Sequence, residues 1–112
     1  MNWKELKAVQ QVEDILNESQ TRPVAIFKHS TRCSVSTMAK RSLESDWKGH
    51  ENEIVPYFLD LLNHRDVSNS VSEKLNIRHE SPQLILIRNG EVLYHAAHAS
   101  VDFADMAMKL SS

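Results

Sequence analysis

Cys33 is the only cysteine in the chain, and it lies in the string Lys28-His29-Ser30-Thr31-Arg32-Cys33-Ser34-Val35-Ser36. A thiol and a hydroxyl therefore stand in a C-x-x-S pattern. In dithiol redox motifs the second cysteine resolves a mixed disulfide formed by the first. Ser36 has no sulfur, so redox chemistry at Cys33 must take its partner sulfur from outside the chain, either from a small thiol or from another protein. A lone cysteine can also serve as a small buried hydrophobe. Here the polar residues on both sides favour a working thiol.

The thiolate is the nucleophile, so the surroundings of Cys33 have to favour that form. A helix N-terminus does this through its unpaired N–H groups and the positive end of its dipole. In this sequence those groups come from Ser34, Val35 and Ser36. Arg32 and His29 are candidates for added positive potential, and the Ser36 hydroxyl is a candidate donor to the thiolate. Pro82 opens a later strand after Ser81, a place where a cis peptide bond can expose a backbone edge beside the thiol. Substrate backbone can then pair with Ser81. Thr31, in the turn before the cysteine, joins Ser81 and Pro82 as a candidate substrate contact.

The elements that must position these groups follow from periodicity. Trp3 to Leu6 reads as a short strand, and Val9, Val12, Ile15 and Leu16 recur at helical spacing to about Ser19. Val24 to Lys28 is a continuous apolar run, the pattern of a central strand buried on both faces. A helix beginning at Cys33 and running to about Ser45 puts Val35, Met38, Ala39 and Leu43 on one face. Trp47 to Glu53 reads as a loop. Ile54 to Asp60 is a strand in which Pro56 marks a start or an edge. Asp66 is a candidate cap for a helix over Val67 to Leu75. Gln83 to Arg88 is the clearest strand, Asn89-Gly90 a hairpin turn that needs positive φ twice, and Glu91 to His95 the returning strand. Ser100 or Asp102 can cap a last helix burying Val101 or Phe103, Met106 and Leu110. The order β-α-β-α-β-α-β-β-α, with parallel crossovers first and a hairpin last, predicts an α/β fold: a central mixed β-sheet flanked by helices on both faces.

With 112 residues the chain matches one domain, residues 1–112, and its 41% hydrophobic and 25% charged content suits a globular protein. A net charge of -2 gives no reason to expect nucleic acid as a partner. No apolar stretch is long enough to span a bilayer and no signal-peptide core follows Met1, which predicts a cytoplasmic protein with no membrane partner. His95 and His98 resemble a metal pair, but on a strand they point to opposite faces and no third ligand is at hand, so no metal is expected. Met38, Met106 and Met108 read as packing residues, and Trp3 and Trp47 as too isolated to define a ligand cage. Asn17-Glu18-Ser19 fits the glycosylation sequon and is read as chance.

Three segments together carry a family resemblance: Phe27 to Ser36, Ser81-Pro82-Gln83-Leu84, and Asn89 to His98. In these, over nearly its whole length, the chain resembles the thioredoxin-like superfamily and more closely the YtxJ-type bacilliredoxins, monothiol proteins of the bacillithiol system. Ser34 departs from the proline common in that family directly after the cysteine. The resemblance implies a thioredoxin-like fold with one extra strand at the front. It also implies that Cys33 attacks a bacillithiol–protein mixed disulfide, takes bacillithiol onto its own sulfur and releases the client protein's thiol. Bacillithiolated client proteins and bacillithiol are then the partners, the latter as co-substrate, with no bound cofactor. Two rival readings stand beside this one. A monothiol-glutaredoxin-like protein would use glutathione or carry an iron–sulfur cluster, although Ser34-Val35 lacks the glycine and phenylalanine of its C-G-F-S motif. A non-catalytic thioredoxin-like module would use the same surface only to bind.

Overall fold

A computed structural model describes residues 1–111. The chain runs β1 (Lys4–Glu5), α1 (Gln10–Glu18), β2 (Val24–His29), α2 (Ser34–Trp47), β3 (Val55–Asp60), α3 (Arg65–Leu75), β4 (Gln83–Arg88), β5 (Glu91–Ala97) and α4 (Phe103–Leu110), with a 3-10 turn at His98–Ser100. The five strands form one sheet in the order β1-β3-β2-β4-β5. β1 and β2 flank β3 in parallel, while β4 pairs antiparallel with β2 and β5 with β4. The mixed sheet and the element order are those the sequence predicts.

All six residues of β2 are buried, as its unbroken apolar run requires. Alternation splits them between two cores. Val24 and Ile26 pack with Val12 and Ile15 of α1 and Val67 and Val71 of α3. Ala25 and Phe27 pack with Leu43 and Trp47 of α2 and Met106 of α4. Pro56 lies inside β3 between two neighbours, yet it breaks no ladder bond. Val55 donates to Pro23 O on the β2 side, so the Pro56 nitrogen faces β1, whose pairing begins only at Tyr57. Asn89 and Gly90 have φ values of 54° and 75°, as a two-residue hairpin turn requires. The hairpin is tied to the end of α1, because Gly90 N donates to Ser19 Oγ and Asn89 N to Ser19 O. Ser19, the third residue of the sequon, is buried.

Several sequence expectations are corrected. Trp47 is not in a loop; α2 extends to it, and it is fully buried with Nε1 donating to Ile54 O at 3.0 Å. Trp3 and Trp47 are not isolated either, since their rings meet edge to face at 5.3 Å and Trp3 also stacks on Phe27. Met38 and Met108 are 71% and 70% exposed, so only Met106 of the three packs in the core. Asp66 does not cap α3: the helix begins two residues earlier than expected, at Arg65, with His64 at the cap position and no side-chain cap bond. Asp102 is the cap of α4, accepting from Asp105 N at 2.9 Å. β1 is shorter than expected, and β5 runs on to Ala97.

The core on the α1/α3 side also contains Lys28, which is fully buried. Burial lowers its pKa from 10.5 to about 8. The unfolded chain thus binds more protons than the folded one between these two values, and stability rises with pH across that window. The penalty at neutral pH is about 3 kcal/mol. We expect Lys28→Met to raise neutral-pH stability and to abolish the gain between pH 8 and 10.5, as read from denaturant midpoints of both proteins over that range.

Candidate functional site

Cys33 occupies the N-cap of α2 with extended backbone, φ -112° and ψ 119°. Its N–H closes a turn onto Ser30 O at 3.2 Å, and its C=O accepts from Thr37 N at 3.1 Å as the first bond of the helix. The thiol is half-buried. It makes no side-chain hydrogen bond to cap the helix, and the first turn of α2 carries no acidic residue to cancel the positive end of the dipole. The expected junction of strand, turn and helix is therefore present.

Ser36 does not take the role the sequence suggests. It is fully buried, and its hydroxyl accepts the N–H of Ser30 at 3.1 Å and shares a 2.7 Å hydrogen bond with His29 Nδ1. Its reach is toward the end of β2 rather than toward the sulfur, and among the described residues it makes no hydrogen bond to Cys33. What Ser36 does is brace the 30–33 turn, which presents the thiol, against the first turn of α2.

His29 is likewise not the cation anticipated. Burial and the nearby charge of Lys40 hold its pKa below the ordinary value, against the opposing pull of Asp60, Ser36 and Glu44, so the ring is neutral at pH 7. It is 5.4 Å from the Phe58 ring and belongs to the aromatic layer beneath α2. Lys40, which sequence reasoning passed over, forms a 3.2 Å ion pair with Glu44 and lies 5.6 Å above the Phe58 ring. Glu44 in turn accepts from Trp3 Nε1 at 2.8 Å. Burial raises the Glu44 pKa, but these two donors outweigh it and hold the carboxyl below its ordinary value. Thr31, Arg32 and Ser34 are exposed around the turn.

The Ser81–Pro82 bond is cis. Pro82 is buried, and its carbonyl accepts from His98 N at 2.9 Å, which ties the 3-10 turn to the start of β4. Ser81 Oγ is buried without a hydrogen-bond partner. Val35, Met38, Ala39 and Ser42 of α2 face His98, Ala99 and Val101 across an apolar groove of about 360 Å3. Nothing in the local sequence pattern signals this groove, because its walls come from segments some sixty residues apart. His98 stands in the 3-10 turn with its Nε2 3.7 Å from Glu80, while His95 is in β5.

The family model described as monothiol bacilliredoxin BrxC matches residues 4–106. Among solved structures, one thioredoxin-fold protein with a suggested oxidoreductase activity is similar at 27% identity and a TM-score of 0.82, over 95% of this chain and 91% of that one. Thioredoxins from Trypanosoma brucei brucei (17% identity, TM-score 0.74, 98% and 88% coverage) and Malassezia sympodialis (14%, 0.73, 98% and 89%) share the fold.

Ser36→Ala leaves the Ser30 N–H and the buried His29 Nδ1 without their partner. We expect a loss of about 1–3 kcal/mol in unfolding free energy by denaturant titration.

Proposed function

The chain belongs to the monothiol bacilliredoxin family, and from that premise we propose that Cys33 removes bacillithiol from protein mixed disulfides. The observation that carries the reading is a single half-buried thiol at a helix N-cap, in a chain with no second sulfur of its own to resolve a disulfide. Family membership supports a thiol oxidoreductase with thiol-linked clients.

The exchange runs in two displacements. The Cys33 thiolate attacks the bacillithiol sulfur of the mixed disulfide, a new S–S bond forms between Cys33 and bacillithiol, and the client leaves as its thiolate and takes a proton from solvent. A second bacillithiol thiolate then attacks the bacillithiol sulfur on Cys33. Bacillithiol disulfide departs and the Cys33 thiolate returns. The client sulfur has been reduced and the one incoming bacillithiol oxidised, the first bacillithiol passing from one disulfide to the next, so the exchange calls on no resident cofactor.

In this reading the N–H groups at the start of α2 favour the thiolate, both on attack and when Cys33 is the leaving group. Arg32, exposed beside the sulfur, adds positive potential. Ser34 lies in the first turn and contributes its backbone N–H. Ser36 and His29 act through the turn they brace and are positioning residues. Ser81 offers its backbone to the client beside the thiol, with Pro82 and Thr31 flanking it. Among the described residues no helix is long and apolar enough to cross a membrane, which is compatible with clients in the cytoplasm.

Incubation of the reduced protein with bacillithiol, glutathione and coenzyme A disulfides in parallel, followed by intact mass, tests both reactivity and thiol choice. The expected result is one adduct, fastest with bacillithiol and absent in Cys33→Ser. An unmodified wild-type protein in all three incubations would sink the redox reading, and a faster glutathione adduct would replace bacillithiol as the co-substrate.

A further inference from the structure

Lys28 brings a positive charge into the core on the face of the sheet away from α2. Its Nζ lies 3.1 Å from Ser72 Oγ, 3.2 Å from His79 Nδ1 and 3.5 Å from Ser68 O. Among the described residues no carboxylate forms an ion pair with it. An ammonium can only donate, so His79 Nδ1 must offer its lone pair, and the ring proton of neutral His79 sits on Nε2. Ser68 Oγ is 3.3 Å from that same Nδ1. His79 and Ser68, together with Leu61, Arg65 and Asn69, line a cleft of about 100 Å3.

Cations dominate the electrostatics at His79. Burial first, then the charges of Lys28 and Arg65, hold the His79 pKa below its ordinary value. The acid that opposes them, Glu80, is turned far enough to lie 3.7 Å from His98 Nε2. Asp66 is exposed in the first turn of α3. Two cations and a neutral imidazole donor around a cleft of this size, one of the cations fully buried without a counter-charge, form an arrangement that an anion completes. The planar guanidinium of Arg65 suits a carboxylate.

We propose that the cleft between α3 and the segment before β4 binds a single carboxylate group, held by Arg65, His79 Nε2–H and Asn69, with Lys28 supplying positive charge from beneath. The cleft opens at the end of the sheet that carries Cys33. Leu61, in its wall, donates its N–H to His29 O at 3.1 Å, and His79 is two residues before Ser81. The carboxylate therefore belongs to a molecule engaged at Cys33, either the small thiol or an acidic side chain of the client. That last assignment rests on the thiol-exchange reading; the site itself does not.

The test titrates the full chain with sodium acetate against chloride at constant ionic strength, following the histidine ring signals by NMR. His79 should shift saturably in the millimolar range while exposed His50 does not, and Arg65→Gln should weaken the effect at least about tenfold. No saturable shift, or an identical one in Arg65→Gln, overturns the proposal. Cys33→Ser should bind acetate as the wild type does, so a failure of the redox reading leaves this result standing. A second arm compares the rate of Cys33 adduct formation with dithiodipropionate and with uncharged hydroxyethyl disulfide. A preference for the dicarboxylate that Arg65→Gln removes supports the site and assigns it to the small thiol. Saturable acetate binding without that preference supports the site and assigns it to the client.

Discussion

The position of Cys33 depends on β2 being held from both sides. β2 pairs with β3 along Val24–His29 and with β4 along Val24–Lys28, so its backbone groups are consumed by two ladders and its end is fixed. The turn at Ser30–Arg32 starts from that fixed end, and Leu61 N donates to the last carbonyl of the strand, that of His29. A thiol at a helix N-cap is useful only if it stays at the helix terminus, because the field of the dipole falls off within one turn. The sheet supplies that constancy, and Ser36 extends it across the turn to the helix.

Two adjacent residues at the end of the strand show what this costs. Lys28 and His29 point to opposite faces, and both are buried, so both lose hydration. For His29 the loss is met by a hydrogen bond to Ser36 and by an aromatic layer that tolerates a neutral ring. For Lys28 only a hydroxyl, a carbonyl and an imidazole nitrogen are available. Such partners satisfy the ammonium's donors but not its charge. A hydrophobic side chain there would suit the core better, so the lysine is a candidate for function rather than for stability.

Much of the fold was legible because the signals are local. The continuous apolar run of β2, the Asn89-Gly90 turn and the apolar spacing of α1 each depend on neighbours within a few residues. Pro56 read locally as a strand start or an edge, but it lies inside β3 between two neighbouring strands. The misreadings share a different cause. Met38 has the spacing of a core residue but lies over a groove, because the 3-10 turn at His98 leaves that side of α2 uncovered. Trp47 looked like a loop residue in a polar stretch, yet the meeting of Trp3, Phe27 and Phe58 on that face creates the space it fills. Ser36 stands where a helix position suggests contact with the thiol, but its hydroxyl went to the nearer competing partners, a buried imidazole and an orphan N–H.

The sequence by itself determined the chemistry available: one thiol, no resolving sulfur, a strand-to-helix junction to carry it and a proline at the head of a later strand. These are matters of residue type and short spacing, which need no knowledge of distant contacts. Only the tertiary structure decided which way each polar group faces. The neutral state of His29, the inward turn of Ser36 and the uncompensated Lys28 all arise where separate elements exclude water together. Desolvation and hydrogen-bond competition act through space, and no local pattern encodes them.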